Sequence, residues 1–188
     1  MTTPLELRIA VSNTGPLISA LQAQCVTILR QLYDMIWIPD SELAEFAKHG
    51  AADEIHELIN AGFIQVHLLI TDEKQHAEYF AEAIAQSPLT KDKLALAHYP
   101  EAEAMVLFNR PHCPARELLL DERAARAVAQ AHGIPVIGFA GVLIRAYQQN
   151  LLSAEAVRDA LNHCRQQGTH YSESFIAEVY QRLKENVS

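Results

Sequence analysis

The sequence predicts an α/β fold, a mainly parallel sheet with helices on both faces, and three observations predict it. Short apolar runs of strand length alternate along the chain with longer stretches of helical pattern, which is how parallel sheets with crossover helices are built. Two of the helical stretches stop at a glycine just past their last turn, Gly62 and Gly133, a common way to end a helix. No internal repeat, low-complexity tract or Gly/Ser linker interrupts the pattern, so a single domain is expected.

The elements follow in order. Leu7 to Ser12 reads as a buried strand that stops at Asn13 and turns tightly into a helix. Met35 to Ile38 is the second strand, and Pro39 is expected to open the helix after it, since proline suits a first turn. Ala52 to Asn60 is a helix and Phe63 to Leu69 the third strand. Glu73 to Ala85 is helical and Ser87-Pro88-Leu89-Thr90 is a break, so a mobile or inserted element is expected within Asp72 to Ala97. Pro100 starts a helix carrying Glu101 and Glu103. Glu117 to Leu120 is a strand, Glu122 to Ala131 a helix and Pro135 to Ile137 the last strand. From Ser153, a good N-cap with Glu155 and Ala156 in the opening turn, two helices run to Lys184. The expected organisation is a body over 1–152 and a helical extension over 153–188 packed on the same domain.

At 188 residues, 20.9 kDa and 49% hydrophobic, the chain can bury a sizeable core. No apolar run approaches the roughly 20 residues of a membrane helix, and the first residues lack a signal peptide's basic flank and apolar stretch. Three scattered cysteines, Cys25, Cys113 and Cys164, form no CxxC pair and no disulfide framework, so a cytoplasmic location is expected. The net charge of −8 works against a broad basic nucleic-acid face, but carboxylates gathered for a cation also make a chain acidic. Arg123, Arg126 and Arg145 are candidate phosphate contacts or plain surface arginines.

The carboxylates fall near strand ends and helix starts. Asp121 ends the apolar run Leu118-Leu119-Leu120 and emerges at the carboxyl edge of the sheet, where open α/β folds bind ligands; it is also placed to cap the next helix. Glu45 lies one helix beyond the second strand, where a single glutamate is ordinarily solvated. Glu101 and Glu103 sit in a first turn, favoured there by the helix dipole alone. At about 3.6 residues per turn they point roughly 200° apart, and spacing does not choose between them. Convergent oxygen donors suit Mg²⁺ or Mn²⁺, and two such ions activate a water against a phosphodiester.

Other constellations are weaker. Nine histidines invite a zinc reading, but none stands in HxxxH or HExxH spacing, and His163-Cys164 with His170 reads as surface helix and turn. No GxxxxGK[ST], GxGxxG or Gly-x-Ser-x-Gly pattern is present, which speaks against a phosphate-cradling loop or a serine hydrolase.

The order of the motifs resembles the PIN-domain nucleases, and within them the PIN-like proteins encoded beside small antitoxin-type partners. Four blocks carry the resemblance: Val11-Ser12-Asn13-Thr14-Gly15-Pro16-Leu17-Ile18; Ile38-Pro39 with Glu45; Glu101-Ala102-Glu103-Ala104; and Leu119-Leu120-Asp121-Glu122-Arg123-Ala124-Ala125-Arg126, running on through Gly133-Ile134-Pro135 and Gly141-Val142-Leu143. Together they span Ile9 to Leu152.

The resemblance implies a Rossmann-like three-layer α/β/α sandwich, an acidic pocket for Mg²⁺ or Mn²⁺ and endoribonuclease activity, often as the toxin of a toxin–antitoxin pair. By position Asn13, Glu45, Glu101 or Glu103, and Asp121 form the pocket, with Glu122 an auxiliary acid. Thr14, Arg123 and Arg126 are placed to meet the substrate. RNA, a small antitoxin and a second copy of the chain are the implied partners, with Val142, Leu143 and Ala146 offered equally as a dimer face or as ordinary core. The departure is Asn13, where the family pattern has aspartate. Three readings stand: a naturally weakened member that binds RNA or a partner without cutting, an enzyme sustained by Glu101, Glu103 and Glu122, or a toxic enzyme deliberately silenced. The leading expectation is an endoribonuclease impaired at Asn13; the rivals are a catalytically inactive RNA- or antitoxin-binding module and a phosphatase of small phosphoesters.

Overall fold

Ala10 and Val11 are adjacent and both fully buried, yet they belong to different cores. Successive strand side chains point to opposite faces, so a strand buried on both sides needs helices on both. The computed structural model describes residues 7–169 and 171–185. Its sheet has five strands, β1 (Ile9–Ser12), β2 (Met35–Pro39), β3 (Ile64–His67), β4 (Glu117–Leu119) and β5 (Val136–Ile137), in the order β3-β2-β1-β4-β5. All four pairings are parallel; Val11 stands opposite Trp37 on one side and Leu118 on the other.

One face carries α1 (Thr14–Gln22), α2 (Val26–Leu32), α3 (Glu42–Lys48), α4 (Ala52–Asn60), α8 (Phe139–Gln148), α9 (Ala154–Gln166) and α10 (Glu173–Glu185). Their buried side chains, Leu17, Leu29, Phe46, Ile55, Leu143, Leu161 and Val179 among them, pack on Ala10, Ile36, Ile38 and Leu119. The other face carries α5 (Thr71–Gln86), α6 (Tyr99–Phe108) and α7 (Arg123–Ala131), packed on Val11, Leu118 and Leu120. The result is the expected three-layer α/β/α sandwich.

Four local expectations change. Pro39 does not open a helix; it ends β2 opposite His67, and α3 begins at Glu42. Proline's fixed φ suits an extended strand end as well as a first helical turn, so it could not discriminate between them. A short helix absent from the expected pattern, α2, fills the connection before β2. The stretch read as an insertion is integral to the second core, with Ala77, Phe80, Ala81 and Ile84 of α5 buried beneath it. Val142, Leu143 and Ala146 are fully buried within the chain's own core and supply no dimer face. Ser153 caps α9 as expected, its hydroxyl accepting from the N–H of Ala156 at 3.1 Å.

Candidate functional site

Asn13 directly follows β1, and its backbone N–H extends the ladder to the carbonyl of Leu119 (3.3 Å). That bond carries its side chain to the place where the strand order reverses: β2 and β3 lie to one side of β1, β4 and β5 to the other. Crossover helices leaving in opposite directions open a crevice at such a point. The crevice here has a volume of about 790 Å³. Its walls hold Asn13, Thr14, Glu42, Glu45, Glu101 and Asp121, with Glu122 and Arg123 beside them.

The polar contacts inside it are few. The Asn13 amide Nδ2 donates to Glu101 Oε1 at 3.4 Å, and its Oδ1 is buried without a partner. The N–H of Thr14 (2.9 Å) and its hydroxyl both donate to Glu42 Oε2. Glu42 is completely buried, and its Oε1 has no partner. Asp121 Oδ1 accepts from the N–H of Phe139 (2.7 Å), so this carboxylate caps α8 rather than α7, and its Oδ2 is likewise orphaned. The cap of α7 is Glu122, whose carboxylate accepts from the N–H of Ala125 at 2.5 Å. Glu101 Oε2 completes the set of buried, unpartnered oxygens.

Burial dominates the electrostatics. It pushes Glu42 up to about 8, against the hydrogen bonds from Thr14 and with help from nearby Glu101. Burial likewise raises Glu101, with Glu122 and Glu45 adding to the effect, and raises Asp121 against the Phe139 bond. Burial disfavours the charged carboxylate, and in all three groups it outweighs the contacts that oppose it.

Of the residues expected at the site, Glu45 lines the crevice but pairs with Lys48. Glu101 faces into the crevice, while Glu103 is outside its wall, held by the hydroxyl of Ser41. Glu103 shares its helix with Glu101 but projects from a different side. The Thr14 hydroxyl is taken by Glu42. Arg123 stands at the crevice, and Arg126 in a neighbouring groove that also reaches Asp121. Arg145 lines neither the crevice nor that groove; it pairs with Glu117, the first residue of β4, at the amino edge of the sheet. Cys164 is buried with its thiol on the carbonyl of Ser19 (3.3 Å), and His170 lies outside the described residues.

Two site residues escaped the sequence. Glu42 stands one helical turn before Glu45, so the two share a face; a burial pattern, not spacing, separates the fully buried one from the half-buried one. Tyr171 enters the crevice wall from beyond α9, and nothing local marks it. In kind, the orphaned oxygens of Asn13, Glu42, Glu101 and Asp121 suit a hard divalent cation. In spacing they do not: among the described residues, no three acidic, histidine or cysteine side chains are gathered into a group that could hold an ion. Among the same residues, no helix is long and apolar enough to cross a membrane.

No curated protein and no solved structure matches the chain. A sequence-family model described as a PIN domain matches residues 9–185, which takes in all five strands and the C-terminal helices. With a parallel sheet in the order β3-β2-β1-β4-β5 and an acid-lined crevice at its switch point, this chain belongs to the PIN-domain family, whose fold is nuclease-like.

Proposed function

We propose that the chain is a PIN-type endoribonuclease, toxin-like in setting, whose divalent-cation site is disabled at Asn13. The observation that carries this is the Asn13–Glu101 hydrogen bond. An aspartate at this place would repel Glu101 and require a cation between them; the amide instead donates to one oxygen of that carboxyl without a cation. Burial raises the titration points of Glu42, Glu101 and Asp121, which works against filling the crevice with ionised ligands.

A bound Mg²⁺ or Mn²⁺ would supply an activated water and charge neutralisation for phosphodiester hydrolysis. Asn13, Glu42, Glu101 and Asp121 are the residues that would hold it, with Glu45 at the mouth. The chain's own contribution is otherwise positional: Thr14 fixes the Glu42 carboxylate, and the Phe139 N–H fixes that of Asp121. Arg123 stands where a substrate phosphate would pass. A small antitoxin encoded alongside is the expected regulator, and the cytoplasm the expected compartment.

A second reading, a non-catalytic RNA- or antitoxin-binding module, is favoured by the spread of the acids, no three of which are gathered into one group among the described residues. Calorimetry with Mn²⁺ on this chain and on Asn13→Asp, with RNA cleavage followed alongside, separates the two. The expected result is at least ~10-fold tighter Mn²⁺ binding, about 1.4 kcal/mol, together with cleavage, in Asn13→Asp only. Cleavage by neither protein, with no ion bound, would leave the module as the better account.

A further inference from the structure

The groove beside the crevice, about 1820 Å³, runs along α8 with α10 in its wall. Four cations line it, and two of them are spent within the protein. Arg182 pairs with Glu178, and Lys184 lies over the Tyr180 ring with Glu155 beside it. The other two, Arg123 and Arg126, are free. Arg8, Arg110, Arg145, Arg158, Arg165 and Arg182 each pair with a carboxylate. Among the described residues, neither Arg123 nor Arg126 makes an ion pair or a hydrogen bond. Helix α7 sets the two one turn apart on one face. The Nε of Arg126 is moreover buried without a partner, and an unmade bond is costliest on a charged donor.

Asp121 attracts Arg126, but no ion pair joins them, and Asp121 Oδ1 is taken by the N–H of Phe139 at 2.7 Å. Glu122 caps α7 and lines the crevice, not the groove. Gly138 leaves room for the guanidinium, since a Cβ there would stand 3.3 Å from Arg126 Nη1. We infer that Arg126 and Arg123 form a subsite for a phosphate dianion, free or as a monoester, where the groove meets Asp121. Each guanidinium presents a planar fork of N–H donors that matches phosphate oxygens two at a time. A monoester carries about −1.5 to −2 charges at pH 7 and three strong acceptor oxygens, enough to engage both forks. A carboxylate, with one charge and one pair of oxygens, engages one fork. The subsite needs no metal and does not rest on the nuclease reading; combined with that reading, it selects strands that end in a phosphate.

The test is calorimetry in EDTA at constant ionic strength, with sodium phosphate as ligand and sodium chloride and sodium acetate as comparisons. A second arm uses an RNA tetranucleotide with a phosphate on its 5′ end, on its 3′ end or on neither, which separates a strand end from the free anion. The proteins are the full chain, Arg126→Gln, Arg126→Lys and a control, Arg8→Gln. The control removes one charge at the amino edge of the sheet, where Arg8 pairs with Asp34. Circular dichroism melting confirms that each is folded. Arg126→Gln is expected to bind phosphate ~10- to 100-fold more weakly, the range for losing charge-assisted hydrogen bonds. Arg126→Lys keeps the charge without the fork and is expected to fall between the two. The control is expected to lose less than ~2-fold, through net charge alone. One terminal phosphate is expected to tighten tetranucleotide binding by the full chain ~10-fold, and Arg126→Gln to close that gap.

Equal phosphate binding by Arg126→Gln and Arg8→Gln would overturn the subsite, and so would a full chain that responds to phosphate no more than to chloride. Acetate bound as tightly as phosphate would also overturn it, leaving a general anion contact. Phosphate binding lost in Arg126→Gln, with no gain from a terminal phosphate on the tetranucleotide, would retain the subsite and assign it to the free anion. Cleavage by Asn13→Asp is scored apart from all of these, so the subsite and the nuclease reading fail independently.

Discussion

Glu42 concentrates the physical tension of the site in one side chain. It is fully buried, bonded through one oxygen and orphaned at the other. Its folded titration point, about 8, lies above the ordinary 4.5. A raised carboxyl means that the native state holds the proton more tightly than the unfolded chain, so without metal its contribution to stability falls as pH rises through that interval. Glu42→Gln in EDTA is therefore expected to be more stable than the parent at pH 8, by on the order of 1–3 kcal/mol, with the gap closing near pH 5. Thermal melts across that range check this, and parallel pH profiles for the two proteins would refute it. Gly138 makes a second case. A Cβ there would stand 2.8 Å from Asp121 Oδ1 and 3.3 Å from Arg126 Nη1. Gly138→Ala is expected to displace the carboxylate from its cap on Phe139, costing about 1–2 kcal/mol, and to abolish any cleavage gained by Asn13→Asp.

Among the elements, β4 ties the α2–β2 junction to α8. Its first residue, Glu117, accepts from Tyr33 (2.7 Å) and from both Arg145 nitrogens, joining the α2–β2 junction, the sheet and α8. Burial alone would raise Glu117, but the bonds from Arg145 and Tyr33 outweigh it and hold the carboxyl below its usual range. Arg145→Met leaves that half-buried acid without its cation, held by Tyr33 alone, with an expected loss of about 1–3 kcal/mol. Mn²⁺ binding in the Asn13→Asp background should be unchanged, since Arg145 does not line the crevice; a melt and a calorimetric titration on the same sample test both halves. The element boundaries were well marked in the sequence where periodicity and terminators agree, as at Ala52–Asn60, which ends just before Gly62. They were poorly marked where a residue suits two conformations, as Pro39 does, or where an element is as short as α2.

Over the whole molecule, the C-terminal helices are part of the fold's foundation. Val157, Leu161 and Cys164 of α9 and Ile176, Val179 and Leu183 of α10 are buried in the same core as α1, α2 and α8. Burial of each large apolar side chain contributes roughly 1.5–3 kcal/mol, against a net domain stability of about 5–15 kcal/mol. A chain ending at Leu152 is expected to lose cooperative unfolding and to expose apolar surface, visible as loss of the near-UV dichroism signal and binding of a hydrophobic dye. A truncated chain melting within a few degrees of the parent would show the extension to be dispensable. The same helices form one wall of the groove that reaches Asp121, so truncation should also open that side of the site.

The layers and their contents are written in local pattern. Periods of two and of about 3.6 are properties of neighbouring residues, as are the residues that stop them. Alternating strands and helices, and acids at strand ends, were therefore legible along the chain. Which acid of each pair matters to the crevice was settled by packing alone. Glu42 and Glu45 share a helix face, and Glu101 and Glu103 share a helix. Their exposures and partners differ through packing against Thr14 and Ser41, residues 28 and 62 positions away from Glu42 and Glu103 respectively. The groove has the same origin: Arg126 and Arg182 become neighbours of one concavity only after α10 folds back over α8, an approach of distant segments that no local pattern encodes.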